Sequence, residues 1–542
     1  LVINFRRKGR EDVRLPLDIQ TPPEGRLRVS ILSADTGEPA PAMVRLVWKT
    51  DGRERPPSNA VSLDAQFDRQ GPAGGRQGAN LPGRLGGQYW CAPGPFDMSL
   101  PPGEWEIVIR RGVEHAAVFD TFTVKPGAIT EKTYRPRRWV DMRKNGWYSG
   151  DDHVHAQVLS DDDARRLMMH AQAEDVHVVN IVKMGDIYRT YFQQRGFGRE
   201  YRVIDGDYVL VPGQECPRTH KQIGHTLSLN IREMVRDTER YFLYDTVFDA
   251  IHAQGGVCGY AHVGSRLFHV DRDMSINVPK GKVDFAEVLQ FAALGTELYY
   301  EFLNLGYEIT ASAGSDVPWG GTIGEVRTYA FVGDQPFTAD AWFDAFKRGR
   351  TFVTDGPMLD LRVDEAYPGD EIAVKADRKL RVKARAFGDP EVTTPTKLEV
   401  VCQGEVIRAA EASDVSRKDL SVEFDVDAGD GFWIAARAWA GDGRKAHTTP
   451  VYVIREGLRF WRFDAVDALI GKRLASLDQV EAIVREAQKQ NDEGKAGADR
   501  HIRELAIQGP ELLRRVEAAR RIYADLKDIA AKERPLRAKG RR

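Results

Sequence analysis

Between Trp139 and Pro357 the chain alternates apolar, strand-like runs with stretches of helical spacing, the signature of strands joined by crossover helices in a parallel α/β arrangement. Asp162 to Glu174 has helical spacing and precedes the buried-strand run Val176 to Val182. Thr246 to Ala253 stands in the same relation to Gly256 to His262. In α/β barrels, ligands and catalytic groups collect at the carboxyl ends of the strands. His155, Glu215, His262 and Asp316 all fall at such places.

The flanks read differently. From Gly25 to Val124 the apolar runs are short and alternating, as in Leu27 to Leu32, Ala42 to Trp48 and Trp105 to Ile109, which predicts a small antiparallel sandwich. A stretch dense in Gly, Pro and Arg, Gly52 to Pro95, predicts a long loop inside it. From Leu359 to Arg455 the strand pattern returns and predicts a second sandwich. After Trp461 the chain turns helical, with Leu469, Ile470, Leu474, Leu477, Val480, Ile483 and Val484 at three-to-four spacing. This stripe is expected to pack on the protein itself, with a homo-oligomer contact through the helical tail as the alternative. The basic end, Arg537 to Arg542, is expected to fray. The predicted organisation is a sandwich over 1–136, an α/β unit over 137–358, a second sandwich over 359–456 and a helical extension over 457–542.

At 542 residues the chain exceeds what one hydrophobic core supports, which fits several domains. A net charge of -2 provides no basic face for nucleic acid. No apolar stretch approaches the roughly 20 residues that cross a bilayer, so no membrane partner is expected. Cys91, Cys216, Cys258 and Cys402 show no Cys-x-x-Cys spacing and leave the redox compartment open. A start at Leu1 is compatible with processing, and a periplasmic or extracellular location is favoured over a cytoplasmic one on that ground.

Chemistry concentrates in Asp151-Asp152-His153-Val154-His155. His-x-His near a strand end can aim both imidazoles at one metal ion while acidic neighbours steady them. Downstream follow Pro212-Gly213-Gln214-Glu215, Gly224-His225, Tyr260-Ala261-His262 and Gly314-Ser315-Asp316, each placing a candidate ligand beside a hydrophobic run or a small-residue turn. Each has a plainer alternative: His225 as a strand start, His262 as a satisfied core histidine, Glu215 as a salt-bridged carboxylate, Asp316 as a turn cap. His170, His177, His252 and His501 lie within helical or strand patterns and read as structural. Cys216 and Cys258 lack the partners of a catalytic cysteine.

In this order and spacing the motifs resemble the PHP metallohydrolase superfamily, and within it the carbaryl-hydrolase-like (CehA/McbA-like) branch. The resemblance covers about Trp139 to Pro357. It extends to Phe352-Val353-Thr354-Asp355-Gly356-Pro357 and to the segment Ala446 to Val453. It implies a distorted (β/α)7 barrel flanked by two sandwiches, with divalent metal at the mouth. His153, His155 and Asp316 would hold one ion, Glu215 would bridge, and His225 with His262 would hold a second. Two departures stand out. Where the family has Thr-Asp-His this chain has Val182-Lys183-Met184-Gly185-Asp186, and where it has Ser-Asp-x-His this chain has Ser315-Asp316-Val317-Pro318. Both missing histidines belong to the third metal position of trinuclear members, so one or two ions are expected. Imidazole and carboxylate ligands suit Zn, Mn or Fe. Asp161 is offset by about one residue from the family's next acidic position and is left out of the ligand set.

The function expected from the resemblance is hydrolysis of an ester, carbamate or amide bond of a small-molecule substrate by a metal-activated water. A phosphoesterase on the same site and a noncatalytic carbohydrate- or surface-binding protein are the alternatives. Arg218, His220 and Lys221 are candidates for binding an oxyanion or protonating a leaving group, against a plain polar loop, and Arg266 and His269 for the same work.

Overall fold

The computed structural model describes residues 2–6, 8–9, 13–16, 22–67, 79–81, 87–265, 268–375, 377–412, 418–497 and 499–539. In the central region Trp147–Val154 pairs in parallel with Val178–Gly185, which pairs in parallel with Tyr208–Thr219. Gly224–Leu229 runs antiparallel to both of its neighbours, Tyr208–Thr219 and Val257–Tyr260. Parallel pairing resumes from Val257–Tyr260 to Phe285–Gln290 and on to Thr310–Ala313. The parallel bridge between Val154 and Val317 then brings the chain back alongside the first strand.

The expected parallel arrangement is therefore corrected at Gly224–Leu229, and again where Arg327–Phe331 runs antiparallel to both Trp147–Val154 and Thr351–Thr354. Only His220, Lys221, Gln222 and Ile223 separate Thr219 from Gly224, too few for a crossover, so the chain turns back as a hairpin. This reversal matters for the site. An antiparallel strand presents its first residues where its parallel neighbours present their last, and His225 stands opposite Arg218 in the register.

The interior is closed by Trp342 and Phe346 of the helix Ala339–Lys347, packed among Val178, Val182, Val209, Val211 and Leu227. Gly150 makes room for this plug, since a Cβ there would stand 2.5 Å from the Trp342 ring. On the outside, Asp161–Ala173 starts from a capping box in which Ser160 and Asp163 satisfy each other's backbone N–H. Its Leu167, Met168 and Ala171 bury against Val179 and Ile181. Each such side chain contributes about 1.5–3 kcal/mol for a Leu or Met.

Ahead of this unit, the three-stranded sheet Ile129–Tyr134, Gly25–Ile31, Phe96–Leu100 faces a five-stranded sheet containing Ala42–Trp48 and Gly103–Arg110 across a common core. Ile129–Tyr134 pairs in parallel with Gly25–Ile31, so this sandwich is mixed where the sequence predicts it antiparallel. Gly87–Ala92 lies within the expected loop yet forms a strand against Ala42–Trp48, with Tyr89, Cys91 and Ala92 buried. Of the expected loop, residues 68–78 and 82–86 lie outside the described residues.

Behind it, Met358–Val363, Lys379–Phe387 and Asp419–Asp427 form a sheet that packs on Pro395–Cys402 and Phe432–Ala440 through Leu361, Val382, Val400 and Ile434. Thr351–Thr354 pairs with Arg327–Phe331 on one edge and with Lys445–Thr448 on the other, which joins the central unit and the second sandwich in one hydrogen-bonded sheet. The helices Val466–Asp492 and Arg500–Lys539 bury Leu469, Ile470, Leu477, Val480 and Val484 against Leu512, Val516 and Tyr523 and against the central unit. The apolar stripe is thus covered by the protein itself. Arg537 corrects the expected frayed tail: it is buried, and its guanidinium donates to Glu533 at 2.7 Å and to the Arg459 carbonyl at 2.7 Å. No helix among the described residues is long and apolar enough to cross a membrane.

Candidate metal centre

His153 Nε2, His155 Nε2 and Asp316 Oδ1 form a triangle with edges of 3.0, 3.4 and 3.3 Å. Three donor atoms held at about 2.0–2.1 Å from one ion with tetrahedral angles lie about 3.3–3.4 Å apart, so the triangle fits a metal ion. The opposite faces of both rings are engaged. His155 Nδ1 donates to the Val182 carbonyl at 2.9 Å, and His153 Nδ1 lies 3.0 Å from Glu287 Oε1. Glu215, His225 and His262 form a second group, whose ligand atoms lie within 4.8 Å of one another. The groups interlock: Glu215 Oε2 lies 3.6 Å from His155 Nε2, and His262 Nε2 lies 3.9 Å from Asp316 Oδ2. All six side chains are buried. Both groups could hold a metal ion.

The charge states suit ligation. Burial works to raise the Asp316 carboxyl, and His153, His155 and His262 outweigh it and hold it below the ordinary range. Burial likewise opposes ionisation of Glu215, and Arg218 with His225 holds that carboxyl well below its ordinary value. Burial, then the Arg218 charge, pushes His225 down to about 3, and burial lowers His262, so both imidazoles are neutral and offer lone pairs. Nε2 of His225 has no hydrogen-bond partner among the described residues.

The backbone is bent to this purpose. His262 and Asp316 sit just past the ends of Val257–Tyr260 and Thr310–Ala313 with φ of +59° and +53°, a left-handed conformation that costs a non-glycine residue roughly 1–3 kcal/mol. Asp151 supports both ligand loops. It accepts from His153 N at 3.1 Å, Ser315 N at 3.0 Å and Gly324 N at 2.8 Å. Gly314 is required by space, because a Cβ there would meet Asp152 Oδ1 at 2.2 Å and Glu287 Oε1 at 2.6 Å. The expected acidic neighbours thus steady the loops, while the ring partners come from elsewhere: Glu287 for His153 and Gln290 for His262. Asp152 lies against Glu287, and burial, then their mutual repulsion, pushes the Asp152 carboxyl well above its ordinary value.

The mouth is walled by aromatic rings. Phe192 and Trp319 contact the His155 ring at 5.1 and 5.2 Å, while Phe268 contacts His225 and His262 at 4.6 Å each. Phe291, 47% exposed, stacks over His262 at 6.2 Å. Arg218 is not part of a polar loop: its side chain is largely buried, with Nε 3.2 Å from Glu215 Oε2, and its charge is committed to that carboxylate. His220 is exposed on the hairpin turn, its ring 4.7 Å from that of His225. Lys221 is exposed on the same turn and contacts the six through no described side-chain interaction. His269, also with a left-handed backbone, lines a neighbouring cavity of about 660 Å³ instead of the trios, and Arg266 lies outside the described residues.

The remaining histidines and thiols behave as structural groups. His170 Nε2 donates to the Val61 carbonyl at 3.1 Å, and His177 contacts Ser149 Oγ at 2.9 Å. His252, Cys258 and Asp284 could also hold an ion. There His252 Nε2 bonds Asp284 Oδ2 at 2.8 Å, and the same oxygen accepts from the Cys258 backbone N–H at 2.7 Å. Burial pushes Cys216 up to about 12. Asp161 is exposed and paired with Arg195, away from the centre.

No family model and no curated protein matches the chain. Among solved structures, PsfC from Pseudomonas syringae PB-5123 is similar over 37% of this chain and 90% of its own length, at 13% identity and a TM-score of 0.26. An engineered protein is similar over 35% of this chain and 46% of its own, at 14% identity and a TM-score of 0.13.

Proposed function

We propose that the chain is a metal-dependent hydrolase with a distorted (β/α)7 barrel of the PHP type, acting on an ester, carbamate or amide bond of a small molecule. The observation that carries this reading is the His153, His155, Asp316 triangle, with both imidazoles pinned from behind, standing against the second group of Glu215, His225 and His262. These residues would hold one or two ions of Zn, Mn or Fe, with Glu215 shared between the two groups. When bound, such ions supply Lewis acidity, polarising a carbonyl oxygen and easing the ionisation of water.

The rest of the work falls to the chain's own side chains. Asp316 and Glu215 are ionised and the imidazoles of His225 and His262 are neutral, so the centre is poised to receive cations without first releasing protons there. His220, exposed beside His225, is placed to give a proton to a departing group. The aromatic walls limit water and receive apolar parts of a substrate. They also favour an acyl over a phosphoryl substrate. A phosphate site gathers unpaired Arg and Lys, whereas Arg218 is already paired with Glu215.

Elemental analysis of purified protein followed by a panel of nitrophenyl esters, carbamates and phosphates tests the reading. Bound metal, chelator-sensitive turnover of an acyl substrate and its loss in His153→Ala are expected. Stoichiometric metal with no turnover on any panel member would favour a noncatalytic binding protein, and turnover confined to phosphates would replace the acyl assignment.

A further inference from the structure

The strand Phe285–Gln290 offers no ligand to either group, yet it grips one histidine of each. Glu287 Oε1 lies 3.0 Å from His153 Nδ1, while Glu287 Oε2 accepts from the His262 backbone N–H at 2.9 Å. Gln290, three residues on, accepts from His262 Nδ1 through Oε1 at 2.5 Å, and its amide nitrogen comes within 3.5 Å of His153 Nδ1. Both side chains are buried.

We propose that Glu287 and Gln290 are positioning residues that tie the two ion positions together, so that they fill as a pair. The inference rests on the metal-centre reading and adds to it a device outside the ligand set. A neutral imidazole can ligate through Nε2 only when Nδ1 carries the proton, and an acceptor at Nδ1 fixes both the tautomer and the plane of the ring. Glu287 does this for His153 and at the same time anchors the backbone of His262, whose left-handed conformation needs an external hold. Gln290 fixes the His262 ring and packs its amide nitrogen 3.5 Å from His153 Nδ1 without bonding it, that N–H being given to Glu287. A shift of either side chain is therefore felt in both groups. Nor is there slack to absorb it, since the space beside Glu287 Oε1 is so tight that residue 314 must be glycine.

Calorimetric titration of metal-free protein with Zn²⁺ or Mn²⁺ reads the stoichiometry and affinity of each position without reference to any substrate. The Co²⁺ absorption spectrum reads the coordination. Glu287→Gln and Gln290→Leu are each expected to weaken uptake at both positions by about 10–100-fold and to alter the Co²⁺ spectrum. Gln290→Glu, which keeps an acceptor on His262 Nδ1, is expected to load as the wild type does. Circular dichroism confirms folding, and Gln290→Leu carries the test if Glu287→Gln does not fold. Wild-type uptake in both variants, or weakening confined to one position, overturns the tie while the metal centre stands. Wild-type protein that takes up no ion at all removes the metal reading and the tie with it.

Discussion

The Nε2 atoms of His153 and His155 face each other at 3.0 Å. With His155 Nδ1 donating to the Val182 carbonyl, Nε2 is the atom turned toward His153 Nε2 and Asp316 Oδ1, the position from which an imidazole ligates. His155→Ala should therefore lower bound metal by one ion per chain and reduce chelator-sensitive turnover by at least about 100-fold, an effect no weaker than loss of an outer-shell partner. Elemental analysis and initial rates check both; unchanged metal content would remove His155 from the ligand set.

Arg218 and Glu215 are a largely buried pair 3.2 Å apart. Arg218→Ala leaves the Glu215 carboxylate with less to offset its burial, and should cost the metal-free protein about 3–5 kcal/mol. Urea unfolding measures the difference. A variant as stable as the wild type would show that His225 alone balances the charge.

Gly314 stands where a Cβ would meet Asp152, His153 and Glu287 at 2.2 to 2.6 Å. Gly314→Ala should push these groups apart, costing about 1–3 kcal/mol and a larger share of metal affinity. Thermal unfolding with and without Zn²⁺ separates the two effects.

Asp273 is buried, accepts from the Tyr260 hydroxyl, and is pushed up to about 7 by burial. Its unfolded value is about 3.9. Unfolding between those values releases a proton, so the stability Asp273 contributes is complete below about pH 4 and is lost as pH rises to about 7, by on the order of 1.4 kcal/mol per unit. Asp273→Asn should flatten this decline. Denaturation midpoints of both proteins from pH 4.5 to 7.5 test it, and parallel curves would contradict it.

Leu477 is fully buried between the C-terminal helices and the central unit. Leu477→Ala should destabilise by about 2–5 kcal/mol. A cost near zero, by calorimetry, would mean that this helix contributes little to the common core.

The six candidate ligands were legible because each sits in a short motif next to a strand-like run, where polar residues are conspicuous. Glu287 and Gln290 were not, because Phe285-Ala286-Glu287-Val288-Leu289-Gln290 reads as an ordinary buried strand and nothing local marks which polar side chain turns inward. The reversal at Gly224–Leu229 did leave a trace, the four-residue gap after Thr219, which rules out a crossover on length alone. Arg218 reads from the sequence as a candidate for binding an oxyanion, and no local cue marks its pairing with Glu215. For Arg537 the pairing with Glu533 four residues earlier is a local cue, whereas the Arg459 carbonyl becomes its partner only once the helix is seated on the protein.

Thr351–Thr354 belongs at once to the wall of the central unit and to the second sandwich. Bending one against the other would tear a row of interstrand bonds, so these two bodies cannot open and shut around a guest like a pair of jaws. On the proposed hydrolase reading, selectivity would then be exercised at a fixed aperture, by the rings of Phe192, Trp319, Phe268 and Phe291, and substitutions at those four positions are where a change of preferred guest should be sought.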